Sequence, residues 1–119
     1  KDYVRGMWQM MQQDKSDDYI LATGETHSIR ELVECAFNYI DEKVIWGGSG
    51  IDEKGYNDKG EIIVTINSDF YRPAEVELLL GDPSKAEKKL GWKREYSFVD
   101  TIEEMVQNDI DIIVNKHKV

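Results

Sequence analysis

The sequence predicts four helices, three of them from the spacing of apolar residues. In three parts of the chain, apolar residues recur every three or four positions, as on one face of a helix. Ser28 and Glu31 form a capping box before the second of these segments. A shorter helix is predicted from its boundaries, because Asp82 and Pro83 suit a helix start and Gly91 suits a helix end. The predicted helices cover residues 2–13, 28–40, 83–90 and 97–116.

Short apolar and β-branched runs predict strands between the helices. The predicted strands cover residues 19–22, 44–46, 61–66 and 76–80. Residues 47–60 are rich in glycine and charge, which is typical of a mobile loop. The pattern therefore predicts an α/β fold with about four helices and several short strands.

The same periodicity predicts which side chains are buried. The first helix carries an apolar stripe, and the last helix has an apolar face that we expect to lie in the core. All three tryptophans are expected to be core residues, with Trp92 packed beneath Gly91. Because the first helix starts at the first residue without a cap, we expect further chain upstream of it. The stripe comprises Tyr3, Val4, Met7, Trp8 and Met11, and the buried face comprises Ile102, Val106, Ile110 and Ile113.

Composition narrows the class of protein. The 119 residues are 40% hydrophobic and 33% charged, as in a soluble globular protein, and they fit one small domain. The net charge of −9 argues against nucleic acid as a partner, which would need a basic surface. Apolar runs are too short to cross a membrane, and no signal peptide is visible. Cys35, the single cysteine, excludes an internal disulfide and fits a reducing compartment.

No metal site is expected from the spacing of possible ligands. The histidines and Cys35 lack the spacing of a zinc site. Residues 52–61 are acidic, but lysine stands where a calcium-binding loop needs an oxygen ligand.

Arg72 and Glu75 form the leading candidate site. A guanidinium can bind a phosphate or diphosphate through two parallel hydrogen bonds. A carboxylate three residues away can accept hydrogen bonds from a pair of sugar hydroxyls, and Pro73 fixes the backbone between the two. The site would suit a nucleotide or a nucleotide sugar. The structural alternative is a surface ion pair of little energetic weight.

His27 and Ser28 precede the second helix, whose N-terminus is a possible anion site. The simpler interpretation, which we favour, is that Ser28 caps the helix and His27 is a surface residue.

The chain resembles the extended short-chain dehydrogenase/reductases that act on nucleotide sugars, and among them the GDP-mannose 4,6-dehydratases. The likeness covers nearly the whole chain except about 47–60, and it is strongest from Tyr71 to Trp92. The motifs that carry the likeness are specific for this family when they occur together in this order and spacing, although each one alone is a weak signal. They are Arg72-Pro73-x-Glu75-Val76, Leu80-Gly81-Asp82 and Leu90-Gly91-Trp92.

The resemblance implies that residues 1–119 are a single domain fragment, the C-terminal substrate-binding part of such an enzyme, without its Rossmann half. In the family the arginine matching Arg72 contacts the substrate diphosphate and the glutamate matching Glu75 contacts the ribose. The parent enzyme would be a lyase that converts GDP-mannose to GDP-4-dehydro-6-deoxymannose, in GDP-fucose biosynthesis. It would be a cytoplasmic homo-oligomer, with NADP bound by the upstream half.

The residues of catalysis and cofactor binding are missing from this chain. It has no Gly-x-Gly-x-x-Gly turn to hold a pyrophosphate. The single Tyr-x-x-x-Lys spacing, Tyr39 with Lys43, falls at the end of a predicted helix, and we treat it as chance. We assign no catalytic, cofactor-binding or metal residue here and expect no turnover from this chain alone. Two alternatives stay open, namely part of a related nucleotide-sugar epimerase or reductase, and a non-catalytic nucleotide-binding module.

Overall fold

The computed structural model describes residues 1–72 and 78–116. Within these residues the chain is an α/β protein with four α-helices and one three-stranded sheet. The helices are α1 (Asp2–Met11), α2 (Ile29–Asn38), α3 (Ser84–Leu90) and α4 (Phe98–Lys116). The strands are β1 (Ile45–Gly47), β2 (Lys54–Tyr56) and β3 (Ile62–Thr65), and single 3₁₀ turns lie at Gly50–Asp52 and Ser68–Phe70. The four helices confirm the sequence prediction to within a few residues at each end.

The chain divides into two compact units, which share helix α4. One unit comprises Lys1–His27 and Glu77–Thr101, and the other comprises Ser28–Val76 and Ile102–Val119.

The first unit is built around Trp92, which is 1% exposed. Its indole N–H donates a 2.8 Å hydrogen bond to the carbonyl oxygen of Asp2 in α1. Gly6 in α1 lies so close that a Cβ there would be 2.9 Å from Trp92 Nε1. Gly91 ends α3 in the left-handed conformation, with φ of 67°, and thereby turns the chain into this core. The predicted cap at Gly91 and the burial of Trp92 are both confirmed.

Two strands predicted for this unit are not strands. Residues 19–22 and the described part of the other segment, 78–80, have no regular secondary structure. They nevertheless lie side by side, since Thr26 Oγ1 donates to Leu79 O at 3.1 Å and a Cβ on Gly81 would be 2.4 Å from Ala22 Cβ. The two segments are neighbours, but no strand ladder joins them in the described residues. Val76 and Glu77 lie outside the described residues.

The second unit contains the antiparallel sheet, in the order β1–β2–β3. Its central strand was missed, because residues 47–60 were predicted to be a loop. Gly55 pairs with Trp46 on one side and with Val64 on the other. A Cβ at Gly55 would be 2.8 Å from Val44 Cγ1. Glycine at this position therefore allows the strand to pack closely and does not mark a flexible loop. The strands predicted at 44–46 and 61–66 are confirmed.

Helix α2 begins as its capping box predicted. Ser28 Oγ accepts the Glu31 N–H at 3.1 Å, and Glu31 Oε2 accepts the Ser28 N–H at 2.6 Å. The helix is tied to β1 by Trp46, whose indole N–H donates to Glu34 Oε1 at 2.7 Å.

Two expectations about burial are wrong. Of the three tryptophans expected in the core, Trp8 is exposed with the rest of the apolar stripe of α1, and Trp46 is only half-buried. On α4, Ile102 is buried and Val106 and Ile110 are half-buried, but Ile113 is exposed. Periodicity identified the apolar faces, but whether a face is covered depends on the elements packed against it.

Candidate functional site

Arg72 follows a short ordered turn in the second unit. The turn begins three residues after β3, and Asn67 holds it by accepting the Asp69 N–H on its side-chain oxygen at 3.0 Å. The Phe70 N–H then donates to Asn67 O at 3.1 Å, and the Tyr71 N–H donates to Ser68 O at 3.2 Å. These bonds fix the backbone up to the residue before Arg72.

The turn presents two aromatic rings and one cation to solvent. Phe70, Tyr71 and Arg72 are all exposed, with Phe70 at 81%. A guanidinium can bind a phosphate group through paired hydrogen bonds, while an exposed ring offers a face on which a planar group can stack. Arg72 is thus exposed to solvent, and its role in binding an anionic ligand stays a prediction. No sequence signal indicated a role for Phe70 and Tyr71, the two residues that precede Arg72.

Glu75 and Pro73 lie outside the described residues. The pairing of Glu75 with Arg72, and its contact with a ribose, therefore stay predictions.

A second polar cluster lies in the first unit around Glu25. Arg94 Nη1 and Nη2 donate to the two carboxylate oxygens of Glu25 at 2.5 and 2.7 Å. His27 Nε2 lies 3.5 Å from Glu25 Oε2, and the imidazole stacks on Phe98 with ring centres 3.9 Å apart. The hydrogen bonds from Arg94 lower the pKa of Glu25 to about 2, against the opposing effect of desolvation.

This cluster is a structural ion pair rather than an anion site. The Glu25 carboxylate is ionised at neutral pH and already occupies the paired nitrogens of Arg94. The interpretation of Ser28 as a helix cap and His27 as a surface residue is confirmed.

The described residues contain neither a cluster of metal ligands nor a membrane-spanning helix. Among them, no three histidine, cysteine or acidic side chains come together as a possible metal site. In the same residues, no helix combines the length and the apolar character needed to cross a bilayer.

Comparison with known proteins identifies the family. A family model described as GDP-mannose 4,6 dehydratase matches residues 1–105. A GDP-mannose 4,6 dehydratase of Dictyostelium discoideum is 49% identical over 119 residues, which are 99% of this chain and 33% of that protein. One from Drosophila melanogaster is 47% identical over 94% of this chain and 29% of its own length. One from Sinorhizobium fredii (strain HH103) is 46% identical over 95% of this chain and 32% of its own length.

The chain therefore spans about a third of the length of these curated relatives. The match includes Arg72 and the residues of the turn before it. By the extent of the family match and the level of identity, the chain belongs to the GDP-mannose 4,6-dehydratase family.

Proposed function

We propose that this chain is the substrate-binding part of a longer GDP-mannose 4,6-dehydratase, and that Arg72 binds the diphosphate of GDP-mannose. The observation that carries the proposal is the family match over residues 1–105, which includes an exposed arginine just after an ordered turn. The longer protein would be a lyase of the extended short-chain dehydrogenase/reductase fold. It would convert GDP-mannose to GDP-4-dehydro-6-deoxymannose with loss of water.

The electrostatics of the chain make a local cation necessary. With a net charge of −9, the chain as a whole repels a nucleoside diphosphate sugar. Arg72 would offset this repulsion at the diphosphate and fix its orientation through paired hydrogen bonds. Glu75 would accept hydrogen bonds from the ribose hydroxyls. Held at these two points, the sugar would be oriented for chemistry elsewhere in the protein.

The cofactor of the longer protein would be NADP, held outside this chain. The sequence contains no glycine-rich turn between a strand and a helix that could cradle a pyrophosphate. The residues present here therefore do not fit the cofactor, and we assign none of them to it.

The longer protein would act in the cytoplasm as a homo-oligomer, and its product would serve GDP-fucose synthesis. A reducing compartment suits Cys35, a free and half-buried thiol. Its pKa is raised by burial and by the nearby charge of Glu103, so the unreactive thiol form predominates.

Replacing Arg72 tests the binding role. In the longer enzyme, Arg72→Ala is expected to raise KM for GDP-mannose at least about tenfold, since a charge-assisted hydrogen bond contributes about 1.5–3 kcal/mol. The turnover number should change less. Arg72→Lys should restore only part of the affinity, because an ammonium cannot form the paired bonds of a guanidinium. Steady-state kinetics with varied GDP-mannose measures both effects.

Arg30 provides a matched control for Arg72. It is another exposed arginine of the same unit, and it pairs with Glu53. Arg30→Ala should leave KM close to that of the unmodified enzyme. If Arg72→Ala also leaves KM within about twofold, a difference of less than 0.5 kcal/mol, the assignment of Arg72 is wrong.

Measurements on the isolated 119-residue chain distinguish this proposal from the alternative that the chain is a self-sufficient nucleotide-binding module. We expect it to show no turnover and only weak binding of GDP-mannose by calorimetry, because the remaining two thirds of the protein complete the site. Binding by the isolated chain as tight as that of the longer protein would instead favour the module.

A further inference from the structure

Phe70 is the most exposed aromatic side chain among the described residues of the second unit. It is 81% exposed, whereas Phe37 in the same unit is half-buried. A phenyl ring has no polar atom, so no hydrogen bond to water offsets its exposure, as the hydroxyl of the neighbouring Tyr71 can. Phe70 therefore offers an apolar ring face that would gain free energy from being covered.

The ordered turn holds this ring close to Arg72. The Phe70 N–H and the Tyr71 N–H both donate to carbonyl oxygens of the turn, at 3.1 and 3.2 Å. Tyr71 has an extended backbone, with φ of −70° and ψ of 126°. An extended residue separates its two neighbours by about 6–7 Å, so Phe70 and Arg72 are that far apart along the chain. A ligand that contacts both meets a backbone that is already ordered as far as Tyr71, which lowers the entropic cost of binding.

A ring beside a guanidinium suits a ligand with two matching parts. The ring can stack on a planar group, and the guanidinium can bind an anion through paired hydrogen bonds. A nucleotide has both parts, since a ribose joins its planar base to its phosphates. An apolar protein surface would match the ring but not the cation next to it. The pair of Phe70 and Arg72 therefore favours a nucleotide as the group that covers the ring.

We infer that Phe70 stacks on the guanine base of GDP-mannose. GDP-mannose must be bound at this turn for the contact to form, so the inference rests on the proposed function. Stacking acts between ring faces and depends little on which base is present. Phe70 would thus contribute affinity for the nucleotide, and the choice of guanine would depend on hydrogen bonds made elsewhere.

Competitive inhibition of the longer enzyme by GDP and by inorganic pyrophosphate tests the contact. Phe70→Ala is expected to raise the inhibition constant of GDP at least about fivefold, the usual minimum for loss of a stacked base. The constant for pyrophosphate should not change, because pyrophosphate has no base. Phe70→Tyr retains the ring and should stay close to the unmodified enzyme. A constant for GDP within about twofold of the unmodified value in Phe70→Ala would overturn the inference.

The same measurements separate the base from the rest of the substrate. If Phe70→Ala raised KM for GDP-mannose without weakening inhibition by GDP, the ring would contact the hexose, and the inference would be wrong. Arg72→Ala should weaken inhibition by both GDP and pyrophosphate, since both carry the diphosphate. If Arg72→Ala weakened neither while Phe70→Ala weakened GDP alone, the role of Arg72 would fail and the base contact would remain.

Tyr71→Ala is the matched comparison, because it removes the neighbouring ring of the same turn, which is 52% exposed. We expect it to change the inhibition constant of GDP by less than about twofold. An increase caused by Tyr71→Ala and not by Phe70→Ala would assign the stacking to the other ring and overturn the inference. Thermal unfolding of Phe70→Ala gives a further check. A lowered midpoint with an unchanged inhibition constant would show that polypeptide, and not the base, covers the ring.

Phe70→Trp in the longer protein detects the stacking directly. The difference in emission between this variant and the unmodified protein isolates the new indole. GDP should quench this component, because a base stacked on an indole quenches its emission, and pyrophosphate should not. Emission that is unchanged at saturating GDP, or quenched equally by pyrophosphate, would overturn the inference.

Discussion

Trp92→Ala is expected to lower the free energy of unfolding by about 3–5 kcal/mol, the usual effect of removing a buried aromatic ring. Trp92 is 1% exposed, and its indole N–H is bonded to the backbone of α1. The substitution would leave a cavity between α1 and α3 and remove the hydrogen bond that the indole donates to Asp2 O. Because a domain is stable by only about 5–15 kcal/mol, this is a large part of the total. Chemical denaturation of the longer protein, followed by circular dichroism, measures the change.

Trp92→Phe separates the hydrogen bond from the packing. Phenylalanine retains much of the ring volume but cannot donate to Asp2 O, so we expect a smaller loss of about 1–2 kcal/mol. If Trp92→Ala were no more destabilising than Trp92→Phe, the first unit would not depend on packing around this ring.

Helix boundaries were predictable because they depend on local chemistry. The capping box of Ser28 and Glu31 and the left-handed Gly91 each involve residues a few positions apart. Such signals are visible in the sequence, and both occur as expected.

The central strand β2 was not predictable in the same way. Glycine has a low intrinsic preference for strands. The segment around Gly55 is a strand only because it pairs with β1 on one side and with β3 on the other. Its lack of a side chain suits close packing against Val44 and Val64. A sequence shows the glycine but not the two side chains that require it.

The candidate site was predictable only in part. The motif at Arg72 indicated a binding residue, and the structure places it exposed beside an ordered turn. The adjacent rings of Phe70 and Tyr71 carried no spacing signal, because their exposure depends on how the turn leaves β3. The apolar stripe of α1 was recognised in the sequence, but its exposure was not, since periodicity does not say which partner covers a face.

Asp2 joins α1 to the segment before α4, and its carboxylate should be important for stability. Asp2 is 6% exposed, and its Oδ2 accepts the N–H groups of Glu95 and Tyr96 at 2.9 and 3.0 Å. Arg5 donates to its other oxygen at 3.0 Å. Asp2→Ala would leave the two backbone donors unsatisfied, and we expect a loss of about 2–4 kcal/mol in the free energy of unfolding.

The same carboxylate should make stability depend on pH. Burial favours the neutral form of Asp2, but the hydrogen bonds from Tyr96 and Glu95, with the charge of Arg5, outweigh it and lower the pKa. A lowered pKa means that the stabilisation is complete above the ordinary aspartate pKa of about 4 and is lost as pH falls through the lower value in the folded protein. Denaturation curves between neutral and acidic pH should therefore show a decline that Asp2→Asn reduces. A decline of the same size in Asp2→Asn would mean that other carboxylates cause it, because asparagine has no charge to lose in that range.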